Sequence, residues 1–340
     1  MLHTKICDLF GIEFPIMSAG MGGVALATLA ASVSEAGGIG TIALSGFSPN
    51  AIHREIAAAR ELTKKPLAVN LLIPFLRSGV IESLLDEPIQ AVTFFWGEPA
   101  GHERSIMQLK DAGIRSIWQC GSSQEALAAQ RAGVDIIMAQ GFEAGGHVRG
   151  QVTTFALIPE TRDAIGEMPM VAAGGMADGR GLAAALALGA DGAVFGTRFL
   201  ASPESAAHSD YKRRILAARA DETVHTTLFD VGWPDAPHRV LRSAAVAEWE
   251  CAGRPVSGRR PGEGDQAGVI RRSGAEIPLV RYSVAPPSEY MQGDIEGLPF
   301  YAGQSVGLVH EIMPAGAIVR SIAREACAVI ERRLLPALRR

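Results

Sequence analysis

Three observations in the 340-residue sequence predict an α/β fold, a (β/α)8 TIM barrel with a long insertion after its eighth strand. Short apolar runs alternate with longer helical stretches. Several of those stretches end in glycine just before the next run, as in Ala112-Gly-Ile-Arg-Ser-Ile-Trp-Gln119, Ala132-Gly-Val-Asp-Ile-Ile-Met-Ala139 and Leu188-Gly-Ala-Asp-Gly-Ala-Val-Phe195. Such a glycine closes a helix in a left-handed cap, and a continuous apolar run suits a strand buried on both faces. The unit recurs eight times in about 180 residues, which fits a closed parallel barrel better than an open sheet.

In chain order the expected strands lie near Pro15–Ser18, Gly40–Ala43, Ala68–Leu71, Ala91–Phe95, Ser116–Gln119, Ile136–Ala139, Met170–Ala173 and Gly192–Phe195. A last helix, near Ala315–Leu335, should pack back on the outside. This divides the chain into a barrel core at 1–207, an insertion at 208–300 over the C-terminal face, and a closing segment at 301–340. The insertion is rich in Pro, Gly and Arg, with a hairpin expected around Gly274. Loops this long within a compact domain are functional or disordered, and this one leaves the barrel on the face where active sites sit, so a lid is expected.

Composition narrows the function. The chain is 48% hydrophobic and 20% charged, with a formal net charge of −4, so it can bury a large core and carries no basic excess for nucleic acid. The nearest basic cluster, Arg254 to Arg260, reads as a solvated loop. Met1–Asp8 lacks a signal-peptide pattern, and apolar stretches such as Leu182–Phe195 are interrupted by glycines and Asp191, which argues against a membrane span. The expectation is a soluble cytoplasmic protein, with a homo-oligomer left open. Cys7, Cys120, Cys251 and Cys327 are scattered without metal-ligand spacing, so reduced, mostly buried thiols and no metal site are expected.

Glycines mark the expected site. Gly20-Met-Gly-Gly-Val-Ala25 follows the first strand and matches a dinucleotide fingerprint, but the second strand ends Ile42-Ala-Leu-Ser45 without the acidic residue that would hold a ribose. Met21–Gly23 is better read as a loop that lets a flat group approach the backbone. Ala172-Ala-Gly-Gly175 and Phe195-Gly-Thr197 follow the seventh and eighth strands, where barrels commonly bind phosphate through backbone N–H groups.

Those motifs, with Asn70 in Leu67-Ala-Val-Asn-Leu71, Gln119 ending the fifth strand, Gln140-Gly-Phe-Glu-Ala-Gly-Gly-His147 and Ala302-Gly-Gln304, resemble the nitronate monooxygenase family. The resemblance covers most of 10–205 and returns near 301–310; 208–300 matches loosely, and substrate choice is expected to reside there. It implies an FMN-binding barrel with FMN contacts from Met21, Gly22, Gly23, Asn70, Gln119, Gly146, Gly174, Gly175, Gly196 and Thr197. Gln119 stands where some members carry lysine. The implied reaction is oxidation of a nitronate, the anion of a nitroalkane, with O2 as final oxidant, giving a carbonyl compound and nitrite. The alternatives are an NAD(P)H-dependent FMN reductase acting on quinones or enoyl thioesters, and a catalytically silent flavin-binding protein.

His147 is the expected catalytic base. It follows two glycines that leave a flavin face unobstructed, and imidazole can take a proton from a carbon acid near neutrality. His102, after the fourth strand, is the competing base. Glu143 is expected to cap or brace the loop, and Arg149 to be either solvated or substrate-binding.

Overall fold

The computed structural model describes residues 2–272 and 275–338. Its strands are β1 (Ile16–Ser18), β2 (Gly40–Ala43), β3 (Leu67–Leu72), β4 (Ala91–Phe95), β5 (Arg115–Cys120), β6 (Ile136–Gln140), β7 (Gly146–His147), β8 (Met170–Ala173), β9 (Gly192–Phe195), β10 (Thr223–Thr226), β11 (His238–Leu241), β12 (Gln266–Arg272), β13 (Ala275–Val280) and β14 (Met291–Gly293). The eight predicted strands are β1 to β6, β8 and β9, and they form one parallel sheet in the order β1-β9-β8-β6-β5-β4-β3-β2. Gly113, Gly133 and Gly189, predicted to cap the preceding helices, all have positive φ.

The ring closes between β1 and β2. Met17 and Ile39 form a parallel bridge, with the Ser18 amide donating to the Ile39 carbonyl at 3.0 Å and the Ile39 amide to the Ile16 carbonyl at 2.9 Å. Gly40 permits the seam: a Cβ there would lie 1.8 Å from the Ala30 carbonyl oxygen, in the helix Ala27–Glu35 that crosses β2.

Inside the barrel, Met17, Ile39, Ala68, Ala91, Ile117, Ile136, Val171 and Val194 form an apolar core continuous with Ile6, Cys7 and Phe10 of the N-terminal helix Lys5–Phe10. These side chains plug the N-terminal end of the barrel, each large one contributing about 1.5–3 kcal/mol of burial. Open space is thereby left at the C-terminal ends of the strands. The helix Ala315–Val329 packs outside on the helices Gly179–Ala187 and Ala27–Glu35, close to its predicted position. No helix among the described residues is long and apolar enough to cross a membrane.

The described residues of 208–300 are folded. β10 and β11 pair with β7 in one antiparallel sheet, and β13, β12 and β14 form another. The turn of the hairpin expected at Gly274 lies outside the described residues, although its strands β12 and β13 pair antiparallel. Arg260 corrects the expectation of a solvated basic loop. Its residue is 6% exposed. Its guanidinium pairs with Asp230 at 2.7 Å and with Glu263, donates to the Leu228 carbonyl at 2.6 Å, and lies over the Tyr282 ring. A buried arginine needs such partners to offset lost hydration, and here they pin the β10–β11 loop. The thiols are all free, but only Cys7 and Cys120 are buried, while Cys251 is exposed.

Candidate active site

A cavity of about 450 Å³ opens at the C-terminal ends of the barrel strands. All ten residues expected to contact FMN line it, and so does His147. Met21, Gly22 and Gly23 come from the loop after β1, Asn70 from β3, Gln119 from β5, and Gly146 and His147 from β7; Gly174 and Gly175 follow β8, and Gly196 and Thr197 follow β9. His102 does not line it; its ring packs against Trp118 instead.

The glycines serve different purposes. Gly20, first of the dinucleotide-like glycines, is demanded by Asn70: an added Cβ would sit 2.2 Å from the Asn70 Cβ. Gly174 and Gly175 have φ of +94° and +72°, a left-handed turn that side chains rarely adopt. Gly196, by contrast, has φ −105°. Among the described residues no hydrogen bond engages the backbone N–H groups of Gly175, Gly196 or Thr197, which leaves three donors at the cavity wall.

Gly145 corrects the reading that both glycines before His147 clear a flavin face. Its Cβ would meet the Gly303 nitrogen at 2.3 Å, so it makes way for the Ala302–Gly303 backbone. Gly146, at φ +74°, has open space where its Cβ would be. The Gly303 amide donates to Thr197 Oγ1 at 3.0 Å, which ties the Ala302-Gly-Gln304 motif to the wall after β9.

His147 is placed by residues far away in sequence. β7 pairs antiparallel with β11, setting His147 opposite His238 and Gly146 opposite Arg239. Gln140 Nε2 donates to the His147 carbonyl at 3.1 Å. The imidazole stacks on Trp233 with centroids 4.0 Å apart and planes at 26°. Trp96 meets it edge-on at 5.8 Å, with His238 at 5.3 Å and Tyr301 at 5.4 Å. Burial, reinforced by the neighbouring His238, holds the His147 pKa well below the ordinary histidine value. The ring is therefore neutral at physiological pH and already in its proton-accepting form. No Asp, Glu, Lys or Arg occurs among the described residues lining the cavity.

Glu143 braces the loop as expected, its Oε2 accepting from the Thr154 amide at 2.8 Å and from Thr154 Oγ1 at 3.1 Å. Arg149 is half-buried and does not line the cavity: it pairs with Glu98 and Glu125 and donates to the Gly97 carbonyl at 2.7 Å. Sequence reasoning missed Trp96, Trp233, Tyr301 and His238, which carry no local motif. It also passed over Thr93 Oγ1 and Gln140 Oε1, buried polar atoms of cavity-lining residues that have no hydrogen-bond partner among the described residues. Lone aromatic residues in loops read as packing until their neighbours are known.

His238 gives the fold a pH signature. Its Nε2 accepts from the Phe229 amide at 3.3 Å, and its Nδ1 then donates to the Ala236 carbonyl at 2.9 Å. Burial outweighs that second bond and lowers the pKa from 6.5 to about 4. The unfolded chain binds more protons below its own pKa, so this stability is complete above about pH 6.5 and lost as pH falls towards 4. The expected loss is about 1.4 kcal/mol per pH unit within that window, with His147 adding in the same direction. Denaturant midpoints at pH 7 and 5.5 check it, and equal midpoints would show that His238 is not buried in its neutral form.

A family model described as nitronate monooxygenase matches residues 3–79 and 77–325. An octahydroindene-carboxyl-CoA dehydrogenase of Mycobacterium tuberculosis is 38% identical over 256 residues, covering 74% of this chain and 70% of that protein. The structure of FabK from Thermotoga maritima superposes with a TM-score of 0.80 at 34% identity, covering 98% of both chains. A nitroalkane oxidase from Streptomyces ansochromogenes superposes with a TM-score of 0.76 at 28% identity, covering 96% of this chain and 99% of that one.

Proposed function

The chain belongs to the nitronate monooxygenase family of oxidoreductases, and from that premise we propose that it uses FMN and O2 to oxidise nitroalkanes and their nitronate anions to a carbonyl compound and nitrite. The observation that carries the reading is His147 on the wall of a glycine-lined cavity with no charged side chain among its described lining residues.

The residues fit FMN. The backbone N–H groups of Gly175, Gly196 and Thr197, which have no acceptor among the described residues, suit a phosphate, and open space beside Gly22 and Gly146 suits a flat ring. The unpartnered Thr93 Oγ1 and Gln140 Oε1 suit a ring with polar edges. Met21, Gly22, Gly23, Asn70, Gln119, Gly146, Gly174, Gly175, Gly196 and Thr197 would hold it. Bound there, FMN would supply the two-electron chemistry and the transfer to O2.

The protein's own part is proton transfer and exclusion of water. A neutral nitroalkane can enter an uncharged cavity without the desolvation cost that a free anion meets. His147 then removes the α-proton, and the resulting imidazolium and nitronate neutralise each other. The domain reading is part of the proposal: 1–207 as FMN-binding core, 208–300 as cover of the C-terminal face, and 301–340 as closing segment. Trp233, Ile270 and Val284, all from 208–300, contribute to the cavity wall.

A second reading is NAD(P)H-driven flavin reduction serving an enoyl thioester or quinone. The uncharged lining and the apolar wall of Phe75, Trp233, Ile270, Val284 and Pro286 favour it, since both acceptors react through neutral groups. The CoA-linked dehydrogenase relative points the same way. Anaerobic mixing of the FMN-loaded protein with a nitronate and, in parallel, with NADH separates the readings. Flavin bleaching by the nitronate supports the oxidation; bleaching by NADH alone would replace it with the reductase. Bleaching by neither would leave a flavin-binding protein.

A further inference from the structure

A histidine ring does not fix its own orientation. The torsion about its Cβ–Cγ bond is broad, and a catalytic imidazole is ordinarily held by a hydrogen bond at the nitrogen away from the substrate. His147 lacks that device: its Nε2 is buried and has no hydrogen-bond partner among the described residues. Aromatic walls take its place. Trp233 covers one face of the ring at 4.0 Å, and Trp96 closes on it edge-on at 5.8 Å. The two indoles also meet each other edge-on at 5.1 Å, and Phe75 backs Trp233 at 5.0 Å.

Both indoles are themselves held. Trp233 is 6% exposed, in the β10–β11 loop pinned by the Arg260–Asp230 pair; there the Val231 amide donates to the Tyr282 carbonyl at 3.1 Å and the Trp233 amide to the Asp230 carbonyl at 2.9 Å. Trp96 has φ +67°, a left-handed conformation that a bulky side chain adopts only where its surroundings impose it. Its loop is fastened by Arg149 through Glu98 and the Gly97 carbonyl.

We propose that Trp233 is a positioning residue that, with Trp96, clamps the His147 imidazole in the plane from which it exchanges a proton with substrate, so that a segment remote in sequence sets the geometry of the base. The clamp rests on the reading of His147 as the proton acceptor. The titratable groups facing the ring are His238 and Tyr301, both of which stay in place in the variants below.

The test uses the FMN-loaded protein with Trp233→Leu and Trp233→Phe. The His147 imidazole is followed by NMR through a pH titration, and nitroalkane turnover is resolved into kcat and KM. Trp233→Leu should move the His147 midpoint up towards the ordinary value of about 6.5. Its kcat should fall on the order of tenfold or more, the scale of a sub-ångström to ångström misplacement, with KM changed by less than about threefold. Trp233→Phe, which keeps an aromatic face, should restore both.

A His147 titration unchanged in Trp233→Leu, or a kcat loss that Trp233→Phe does not rescue, would overturn the clamp. Should Trp233→Leu fail to fold, Phe75→Leu removes the ring behind Trp233 and is read by the same NMR titration, where an unchanged midpoint overturns the proposal. The NMR measurement needs no substrate. A wild-type protein inert towards nitroalkanes would thus defeat the proposed reaction while leaving the clamp to be decided by the imidazole signals.

Discussion

His147→Asn should retain FMN, lose on the order of 10²-fold or more of its activity on neutral nitroalkanes, and keep a substantial part of its activity on the corresponding nitronates, the selective loss being that of a removed general base. Asparagine preserves polarity and backbone, so the Gln140 contact to the residue-147 carbonyl can persist. A nitroalkane must lose its α-proton before it can be oxidised, whereas a preformed nitronate already has. Steady-state rates on both forms of one substrate give the ratio directly. The pH profile sharpens the test. Because burial and His238 hold the His147 pKa well below its usual value, the base is fully deprotonated at neutrality. The wild-type rate should therefore be level from about pH 6.5 to 8 and decline only in more acidic solution. The sequence alone would place that decline at the ordinary histidine pKa. An inflection there would mean that His147 does not occupy this environment in solution. Equal losses on nitroalkane and nitronate would make it a binding residue. Unchanged rates on both would end the case for proton transfer by this side chain, and His102, outside the cavity lining, could not replace it.

Gly196→Val should weaken FMN binding by roughly 10²-fold or more with little change in the fold. Its φ of −105° is one that valine adopts freely. A Cβ there would meet only the Ala19 Cβ at 3.5 Å and Met21 Sδ at 3.8 Å, ordinary contacts. The methyl groups beyond it would occupy the space through which the phosphate reaches the N–H groups of Gly196 and Thr197. Two lost charge-assisted hydrogen bonds, at about 1.5–3 kcal/mol each, exceed what a hundredfold loss of affinity requires. Gly175→Val, the equivalent choice from sequence alone, is a poorer probe. At φ +72° valine would strain the backbone whether or not phosphate binds. The comparison needs FMN dissociation constants and thermal midpoints of the apoproteins. Wild-type FMN affinity in Gly196→Val would exclude the phosphate from that wall.

The sequence by itself determined the barrel. All eight strands could be placed, with β2, β4, β8 and β9 found at their predicted bounds, because a doubly buried strand and a glycine-capped helix are written in a few consecutive residues. It also determined the glycine loops of the cavity wall, since a loop that must bring backbone close to a ligand needs glycine at fixed offsets from a strand end. The tertiary structure decided the rest. It alone shows Met17 bridging Ile39, Gly145 yielding to Ala302–Gly303, Arg260 buried among carboxylates, His102 packed against Trp118, and Trp233 stacked on His147. None of these has a local signature, because each depends on two surfaces distant in the chain coming together. His147 was recognisable as a residue type in a telling loop. Its charge state and orientation were not, for these belong to its neighbours: desolvation by burial, the facing His238 and the two indoles packed against it.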